Sequence, residues 1–575
     1  MRNFGWKGSF ELLTQTETEE IVDALCSFIY GQPLQEALVH PREESTLSQI
    51  KAWRNCIADL KNQLPAWEAK GEIIFEYELP RSGGRRPDVL LLTKGQLIVL
   101  EFKGYPGISD AEKAQASLYV RDLEEYHSII QTHNVKVRGA VVYPTTSLQA
   151  DTEYQIYQVP HTSILSLLSK LPDETSDVTS DEFVLGSFQA LPSIIETAQQ
   201  LFRHEPLVNI KNIKSNNFEE VFESALQIIK EAEETKTHHL LLISGVPGAG
   251  KTYLGLRLAY EVEQAVYLSG NGPLVSVLQD ALDNKSFVQA LYNYKRSFQK
   301  GEPLEEHVLI FDEAQRAWDA AKMGGSNSEP DVIMQIAQQK SWSVVVGLIG
   351  NGQEIHTGEE GGLALWNQAV APYAITIHTA SNEFQFTNAA STVLNEHLHL
   401  QASIRTHNAL QYFQWVEAYL AGDNKRAAAL AKELQRDRFI LKEMESLDEA
   451  KEFVRSLYQN SNKTVGIVTS SRAGYSLPFK TFGYRDQNYV AFYNHPKSPY
   501  YSNRMEYAVT EFQVQGLELD FAIVYWGDDL TATEKGWKFQ QLNNDAKDPY
   551  QMKLNVYRVL LTRGRDGVII VRKKN

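Results

Sequence analysis

The alternation of apolar and polar positions in the first 145 residues predicts helices followed by short strands. Helix-like stretches cover residues 17–30, 46–63 and 110–127. Strand-like stretches cover residues 73–79, 87–93, 96–102 and 137–143. Strands in this order, flanked by helices, predict a small mixed sheet with a cleft.

From residue 240 onward, the chain alternates near-continuous apolar strands with helical stretches. The apolar strands cover residues 240–244, 265–268, 308–311, 343–349, 465–469, 522–526 and 568–571. Strands that are buried on both faces are typical of parallel sheets covered by helices. This half of the chain therefore predicts two parallel α/β lobes in tandem.

Two polar stretches mark the predicted boundaries. Residues 171–181 are rich in Pro, Asp, Glu, Ser and Thr, and a second boundary is expected near residues 203–217. We therefore expect an N-terminal domain at 1–180, a linker at 181–217, a first lobe at 218–400 and a second lobe at 401–575.

Charge and cysteine content narrow the class of protein. The 575 residues carry a formal net charge of -16, which argues against a generic nucleic-acid coat, because phosphate binding depends on lysine and arginine. Cys26 and Cys56 are the only cysteines, and no stretch approaches the ~20 apolar residues that span a bilayer. We expect a cytoplasmic protein without a membrane partner.

A glycine-rich loop follows the apolar strand at 240–244 and opens a helix. It reads GVPGAGKT, with Gly245, Gly248, Gly250, Lys251 and Thr252 at the positions of a phosphate-binding loop. Glycines allow backbone N–H groups to surround the phosphates, the lysine neutralises β/γ oxygens, and the threonine hydroxyl can bind magnesium. This pattern predicts ATP and Mg²⁺ binding.

A second apolar strand, VLIFDE at 308–313, ends in two acids. Asp312 at the strand end can hold the magnesium ion, and Glu313 can orient or deprotonate the attacking water. Together with the phosphate-binding loop, this strand predicts hydrolysis of a nucleoside triphosphate.

Further motifs follow in a fixed order. They read YLSGNGPL at 267–274, GNGQ at 350–353, IRT at 404–406, VQGLELD at 514–520 and NVYRVLLTRGR at 555–565. With the two phosphate motifs, they resemble superfamily 1 helicases and most closely the Schlafen group 3 DNA/RNA helicase domain family. The resemblance runs from about residue 240 to the C-terminus and implies two tandem RecA-like P-loop lobes.

The resemblance also implies roles for four residues. Gln353 would sense the γ-phosphate, Glu518 would approach the ribose, and Arg405 and Arg563 would be arginine fingers from the second lobe. Phosphoryl transfer needs positive charge at the γ-phosphate, so arginines from another lobe would make hydrolysis depend on cleft closure.

The N-terminal strands carry a second set of chemical groups. Asp88 precedes one strand, and Glu101 and Lys103 lie two residues apart on the next, so they share a strand face. Two carboxylates can hold magnesium, and the lysine can steer a water or stabilise a charged phosphorane. Gln115 and Tyr119, at i and i+4 on the following helix, share one helix face.

These residues resemble the PD-(D/E)XK signature with the QxxxY element of RecB-type nucleases, which implies a restriction-endonuclease-like mixed sheet. The resemblance also implies that Gln115 and Tyr119 position the acid strand and the DNA. The acid that completes the metal shell stays open. Candidates lie on the preceding strand and on the first helix: Glu76, Glu78, Glu19 and Glu20. The alternative reading of Glu101 with Lys103 is an exposed ion pair on a strand.

The leading hypothesis is an α/β protein that joins an ATP-dependent nucleic-acid translocase or helicase to a metal-dependent nuclease. It would cleave DNA in defence against foreign DNA or in repair, as a homo-oligomer or with a defence subunit. One alternative is an NTP-dependent switch or scaffold whose nuclease-like domain only grips nucleic acid. Another is a nuclease-helicase directed at RNA.

Overall fold

The structure is a computed structural model in which two compact units can be described. The residues described are 2–80, 82–188, 190, 192–203, 217–245, 249–323, 326–350, 362–381, 384–401, 409–459, 461–474, 477–483, 486–533, 536–539 and 548–572. Gly248, Gln353 and Arg405 lie outside them. The first unit comprises residues 1–190, 435–440 and 451–463, and the second comprises 191–434, 441–450 and 464–575.

A mixed sheet forms the centre of the first unit. Its strands are β1 (Trp6–Ser9), β2 (Gly71–Phe75), β3 (Val89–Thr93), β4 (Gln96–Phe102), β5 (Lys136–Tyr143), β6 (Gln149–Asp151) and β7 (Ile156–Pro160). They lie in the order β1-β2-β3-β4-β5-β7-β6. Pairing is parallel between β4 and β5 and between β5 and β7, and antiparallel elsewhere.

Helices cover both faces of this sheet. They are α1 (Phe10–Gln15), α2 (Thr18–Tyr30), α3 (Leu34–Val39), α4 (Thr46–Gln63), α5 (Asp110–Tyr126), α6 (Ser128–Thr132), α7 (Ile164–Lys170) and α8 (Ser180–Leu185), with a 3₁₀ turn at Leu64–Ala66. Leu91 and Leu100 face one core, together with α2 and α4. Leu90 and Val99 face the other, together with α5. Because successive side chains of a strand point to opposite faces of the sheet, the apolar residues of β3 and β4 contribute alternately to the two cores.

Strand β2 is shorter than its apolar pattern predicts. The expected strand at 73–79 ends at Phe75, because Glu76 adopts a left-handed backbone with φ 51°. The Glu76 N–H still donates to the Asp88 carbonyl at 3.0 Å. The chain therefore leaves the sheet immediately before the residue that carries the acid.

The second unit begins with helices and a parallel sheet. Its first elements are α9 (Ile194–Phe202), α10 (Phe218–Thr235), β8 (His238–Gly245), α11 (Lys251–Glu261), β9 (Ala265–Ser269), α12 (Gly272–Leu282), β10 (Val288–Ala290), α13 (Leu291–Gln299), β11 (Val308–Asp312), α14 (Ala320–Met323), α15 (Glu329–Ala337), β12 (Ser343–Leu348), α16 (Gly362–Ala369), β13 (Thr376–Thr379), β14 (Ser391–Leu394) and β15 (His399–Leu400). The order is β10-β9-β11-β12-β8-β13-β14, all parallel, and β15 pairs with β8. Two 3₁₀ turns lie at Ala314–Arg316 and Glu396–Leu398.

A second sheet follows, in which the pairings of β17 with β19 and β20, of β18 with β19 and of β20 with β23 are parallel. Its elements are α17 (Ala409–Leu420), α18 (Asn424–Arg436), β16 (Ile440–Met444), α19 (Leu447–Leu457), β17 (Val465–Thr469), β18 (Lys480–Thr481), α20 (Tyr489–Asn494), β19 (Tyr507–Thr510), α21 (Glu511–Val514), β20 (Leu519–Tyr525), β21 (Leu530–Thr533), β22 (Gly536–Phe539), α22 (Pro549–Leu561) and β23 (Gly564–Val571), with a 3₁₀ turn at Ser502–Arg504. The order is β16-β23-β20-β17-β19-β18, and β21 and β22 form a separate antiparallel hairpin.

The mixed α/β class and the two parallel sheets predicted from the sequence are therefore present. Helices α8 and α9 lie in or at the edge of the expected linker at 181–217, and the boundaries at 180, 217 and 400 remain predictions. Both cysteines are buried. In the part of the chain described, no helix has the length and apolar character required to cross a bilayer.

Candidate active sites

In the first unit, the register of β3 and β4 brings the two predicted acids together. Val89 lies opposite Leu100, so Asp88, one residue before Val89, lies next to Glu101. One oxygen of Asp88, Oδ2, accepts a hydrogen bond from the backbone N–H of Phe102 at 2.7 Å. A strand edge thus fixes the position of both carboxylates.

Lys103 extends the same strand edge by one residue. Its backbone N–H donates to the Val142 carbonyl at 2.8 Å, which continues the pairing of β4 with β5. Its Nζ donates to Glu101 Oε1 at 3.2 Å, and its side chain is 14% exposed. Glu101 and Lys103 therefore lie on one face of the strand, as the sequence predicts. Their ion pair is largely buried, in contrast to the alternative reading of an exposed pair.

Burial dominates the electrostatics of these groups. It raises the pKa of Glu101 to about 8, aided by the Asp88 carboxylate and opposed by Lys103. Burial and Glu76 raise the pKa of Asp88 to about 7. Burial alone would lower the pKa of Lys103, but the Glu101 and Asp88 carboxylates outweigh it and raise that pKa. Perturbed acids of this kind cluster at functional sites.

Among the four candidates for a further acid, the structure places Glu76 beside Asp88. Glu76 is 4% exposed; its Oε1 accepts from the Trp53 indole N–H at 2.7 Å, and its Oε2 accepts from Arg86 Nε at 3.2 Å. Glu19, in contrast, pairs with Arg54 on the surface at 2.8 Å. Glu76 is therefore the acid that the fold brings to this site.

Gln115 and Tyr119 lie on α5 and act on the backbone that leads to Asp88. The Gln115 side-chain amide donates to the Tyr119 hydroxyl at 3.4 Å, and that hydroxyl donates to the Arg86 carbonyl at 3.1 Å. The guanidinium of Arg85 lies over the Tyr119 ring at 4.8 Å. The predicted i, i+4 pair thus supports the segment that presents the acid.

Sequence reasoning missed Glu112, a third carboxylate next to Lys103. Its Oε1 lies 3.9 Å from Lys103 Nζ and also accepts from the Tyr105 hydroxyl. Its Oε2 accepts from the backbone N–H and the hydroxyl of Ser109, which completes a capping box at the start of α5. The S-x-x-E spacing signals a helix start but gives no indication of the contact with Lys103.

The donor set at this site suits a divalent cation, although it is small. Glu101 Oε2 is buried and has no hydrogen-bond partner, and Asp88 lies beside it. Among the described residues, no group of three or more His, Cys, Asp or Glu side chains is arranged to hold a metal ion. Asp88 and Glu101 would therefore share a magnesium ion with backbone, water or phosphate oxygens.

In the second unit, the phosphate-binding loop joins β8 to α11. Gly245 ends β8, and Gly250 precedes the helix with φ 86°, a left-handed conformation that favours glycine. Lys251 opens α11, and its Nζ donates to the Gly245 carbonyl at 3.0 Å. The start of α11 and the Lys251 ammonium therefore lie at the end of β8, and a helix N-terminus with a lysine at this place suits a phosphate.

The end of β11 places the two acids beside this loop. Gln315 Nε2 donates to Glu313 Oε2 at 2.5 Å, and Gln315 Oε1 accepts from the Gly350 N–H at 2.9 Å. An added Cβ at Gly350 would lie 3.3 Å from Glu313 Oε2 and 3.6 Å from Lys251 Cε. Glu313 and Lys251 therefore line one small space, and Gln315 fixes the glutamate.

Asp312 and Thr252 also share a neighbour, the hydroxyl of Tyr267. Burial and the Glu313 charge raise the pKa of Asp312 to about 7, and Lys251 opposes the shift. A buried acid next to a threonine hydroxyl is the donor set that binds the magnesium of a nucleotide in P-loop NTPases. The predicted magnesium ligands of the motor therefore lie together.

Arg563 and Glu518 lie in the second lobe, and the contacts described below are with other residues of that lobe. Arg563 is 2% exposed and donates to the carbonyls of Val559 at 2.8 Å and Leu517 at 3.2 Å. Glu518 lies 3.8 Å from Arg565. The structure thus places Arg563 beside the 514–520 motif, with its guanidinium on backbone carbonyls.

Two of the predicted motifs meet across the lobes of the second unit. Asn271 caps α12 by accepting from the Leu274 N–H, and its side-chain amide donates to the Gln515 carbonyl. Gly516 adopts φ 75°, and an added Cβ there would lie 3.0 Å from Leu274. The 267–274 and 514–520 motifs are therefore in direct contact.

The model of the Schlafen group 3 DNA/RNA helicase domain family matches residues 238–573, more than half of the chain. The chain belongs to the Schlafen group 3 DNA/RNA helicase domain family. Membership makes the second unit a helicase-like, nucleic-acid-binding NTP hydrolase. The match begins at β8, so the N-terminal sheet lies outside it.

Solved structures similar to this Schlafen group 3 chain include two Pif1 helicases. The Bacteroides enzyme in complex with ADP-AlF3 and ssDNA is 12% identical with a TM-score of 0.28, over 61% of this chain and 92% of that chain. The Candida albicans enzyme is 11% identical with a TM-score of 0.29, over 63% and 95%.

A curated relative, the ribonucleoside-diphosphate reductase large chain 2 of Saccharomyces cerevisiae, is 28% identical over 153 residues. The match covers 27% of this chain and 17% of the yeast protein. A stretch of that length assigns no reductase activity to this chain.

Proposed function

We propose that this Schlafen group 3 protein is an ATP-dependent nucleic-acid translocase or helicase whose first unit is a magnesium-dependent nuclease. The nuclease proposal rests on the close approach of Asp88, Glu101 and Lys103 at one strand edge. Glu101 Oε2 is buried there and has no hydrogen-bond partner. DNA is the proposed substrate because the residues resemble a nuclease class that cuts DNA. Defence against foreign DNA or repair is the proposed role.

In the motor, the residues divide the work of hydrolysis. Lys251 would leave the Gly245 carbonyl and neutralise the β/γ oxygens, while Glu313 would orient the attacking water. The bond from Gln315 to Glu313 holds that carboxylate in place. The side-chain amide of Asn271 in the first lobe donates to the Gln515 carbonyl in the second lobe. A movement of one lobe on hydrolysis would therefore be transmitted to the other lobe through these two motifs.

In the nuclease site, the chain orients the acids and supplies the positive charge. A magnesium ion bound there would lower the pKa of a coordinated water. Asp88 is oriented by the Phe102 N–H, and Lys103 remains cationic because carboxylates surround it. Lys103 would then stabilise negative charge on the phosphate under attack, and Gln115 and Tyr119 would hold the Arg86–Asp88 backbone.

The test is a cleavage assay on single-stranded, double-stranded and forked DNA and on RNA, with and without ATP and Mg²⁺. Glu101→Gln should abolish cleavage and leave nucleic-acid-stimulated ATP hydrolysis intact. Lys251→Ala should abolish ATP hydrolysis and leave the proposed metal site of the nuclease intact. Cleavage by Glu101→Gln at the wild-type rate would refute the nuclease proposal.

The main competing function is a switch or scaffold whose first unit binds nucleic acid without cutting it. The same assay separates the two, because that protein would hydrolyse ATP and retain a nucleic acid but cut nothing under any condition. If the protein cleaves RNA in preference to DNA, RNA is the substrate and the DNA proposal is wrong. Light scattering of the purified protein, with and without nucleic acid, would test the expected homo-oligomer.

A further inference from the structure

An aromatic side chain stands in solvent beside the proposed nuclease site. Tyr105 is 50% exposed and lies in the loop that joins β4 to α5, two residues after Lys103. Among the described residues, its ring has no aromatic or cation partner. A single exposed ring is common on protein surfaces, so its position beside the proposed site, and not its exposure alone, is the observation that matters.

The ring is nevertheless held in place by its hydroxyl. The Tyr105 hydroxyl donates to Glu112 Oε1, the same oxygen that lies 3.9 Å from Lys103 Nζ. Glu112 is itself fixed, because its Oε2 accepts from the backbone N–H and the hydroxyl of Ser109. One carboxylate therefore sets the position of both the ring and the lysine.

Space around the loop is open. Gly104 and Gly107 flank Tyr105 and Pro106, and an added Cβ at either glycine would meet no atom within 4 Å. All four residues are exposed. The backbone of this loop is therefore open to solvent, and half of the Tyr105 side chain is accessible from it.

The acidic charge of the site weakens phosphate contacts as a means of binding a nucleic acid there. Asp88, Glu101 and Glu112 surround Lys103, Arg86 is paired with Glu76, and the whole chain carries -16. Phosphate contacts alone are weak in such a field. Stacking of a base on an aromatic ring does not depend on charge and contributes on the order of 1–3 kcal/mol per base.

We propose that Tyr105 is a stacking platform for an unpaired base of a single strand, and that it places the neighbouring phosphate at Asp88, Glu101 and Lys103. The proposal rests on the nuclease function proposed above. It assigns the site a preference for single-stranded or frayed nucleic acid, because a base within a duplex cannot present its face to the ring.

The test is a thermodynamic cycle on the full-length protein. Cleavage positions are first mapped on a single-stranded oligonucleotide with Mg²⁺, and abasic sites are then placed on either side of the cut. For one of these positions, the abasic site should lower the wild-type kcat/KM on the order of 5- to 100-fold, with the loss mainly in KM. Tyr105→Ala should show a similar loss on the intact strand and no further loss on the abasic strand.

Two variants separate stacking from other roles. Tyr105→Phe keeps the ring and removes the bond to Glu112, so it should retain the abasic penalty. Tyr292→Ala removes a tyrosine on α13 that is 67% exposed, more than Tyr105, and should behave like wild type. Additive losses from Tyr105→Ala and the abasic site would overturn the stacking proposal while leaving the nuclease intact.

If the wild-type protein cuts nothing, the nuclease proposal fails, but stacking can still be decided. A single strand carrying 4-thiothymine, irradiated with the metal-free protein, should cross-link to the peptide that contains Tyr105. The cross-link should persist in Tyr105→Phe and disappear in Tyr105→Ala. Absence of a cross-link to this peptide in the wild-type protein would overturn the proposal.

Discussion

Replacing Glu101 by glutamine is expected to stabilise the first unit at alkaline pH while it abolishes cleavage. Burial raises the pKa of this carboxyl from an ordinary 4.5 to about 8 in the folded protein. The folded state then binds more protons than the unfolded state between these values, so stability falls as pH rises through that range. The cost is absent below about pH 4.5 and complete above about pH 8.

The size of this effect follows from the pKa values. A difference of this magnitude corresponds to about 5 kcal/mol in the free energy of unfolding above pH 8. That shift already includes the favourable contact of Glu101 with Lys103 at 3.2 Å, and a glutamine at this position resembles the protonated carboxyl. We therefore expect Glu101→Gln to gain on the order of 5 kcal/mol at pH 9 and little at pH 5.

The measurement must report on the first unit alone, because a chain with two units need not unfold in one step. Urea unfolding of the full-length protein in EDTA, followed by pulsed hydrogen exchange of peptides from residues 89–102, meets this need. Midpoints are compared at pH 5, 7 and 9 for wild type, Glu101→Gln and Glu36→Gln, an exposed control on α3. Parallel pH profiles for wild type and Glu101→Gln, or a less stable variant at pH 9, would refute the reasoning.

Further predictions concern the motor and its independence from the nuclease. Lys251→Ala and Glu313→Gln should each abolish ATP turnover, and Glu313→Gln should still bind ATP by equilibrium titration; normal turnover in either would remove the motor assignment. Arg563→Ala should lower kcat for ATP by roughly 10³-fold with a smaller change in affinity if Arg563 is a finger. Lower stability together with equal losses of binding and turnover would show instead that its carbonyl contacts are its role. Asp88→Ala should eliminate cleavage while stimulated ATP hydrolysis survives, and cleavage at the wild-type rate in a nuclease-free preparation would contradict this.

Local patterns were sufficient for several parts of the structure. Strand β4 and helix α4 have the bounds that the sequence predicts, because each apolar run is bounded by turn residues. The glycine-rich loop and the two acids at the end of β11 could also be identified from the sequence, because glycines, lysine and acids are needed at fixed spacing around a phosphate, and their roles remain predictions. In these places the chemistry and the backbone are local to one segment.

Other parts depend on contacts that sequence spacing does not encode. Parity along a strand could not choose between Glu76 and Glu78, because the strand ends before both and Glu76 has φ 51°. Glu112 reaches Lys103 only because α5 starts beside the end of β4. Arg563 also donates to the Leu517 carbonyl, which lies 46 residues away, and no local pattern predicts that contact.

Two left-handed glutamates bear on the choice between an enzyme and a scaffold. Glu76 has φ 51° and Glu313 has φ 54°, and each lies immediately after a strand at one of the two sites. A left-handed backbone costs an ordinary residue roughly 1–2 kcal/mol that glycine would avoid.

The first unit adds the cost of burying Asp88 and Glu101 beside Glu76. A domain that only gripped nucleic acid would be more stable with apolar residues at these positions, since buried charges are often replaceable at no loss of stability. Among the described residues, left-handed backbone also occurs at non-glycine positions outside the two sites, such as Lys94 and Met505. The buried acids beside a fixed lysine, rather than the backbone strain, are therefore the ground on which we propose a nuclease and not a scaffold.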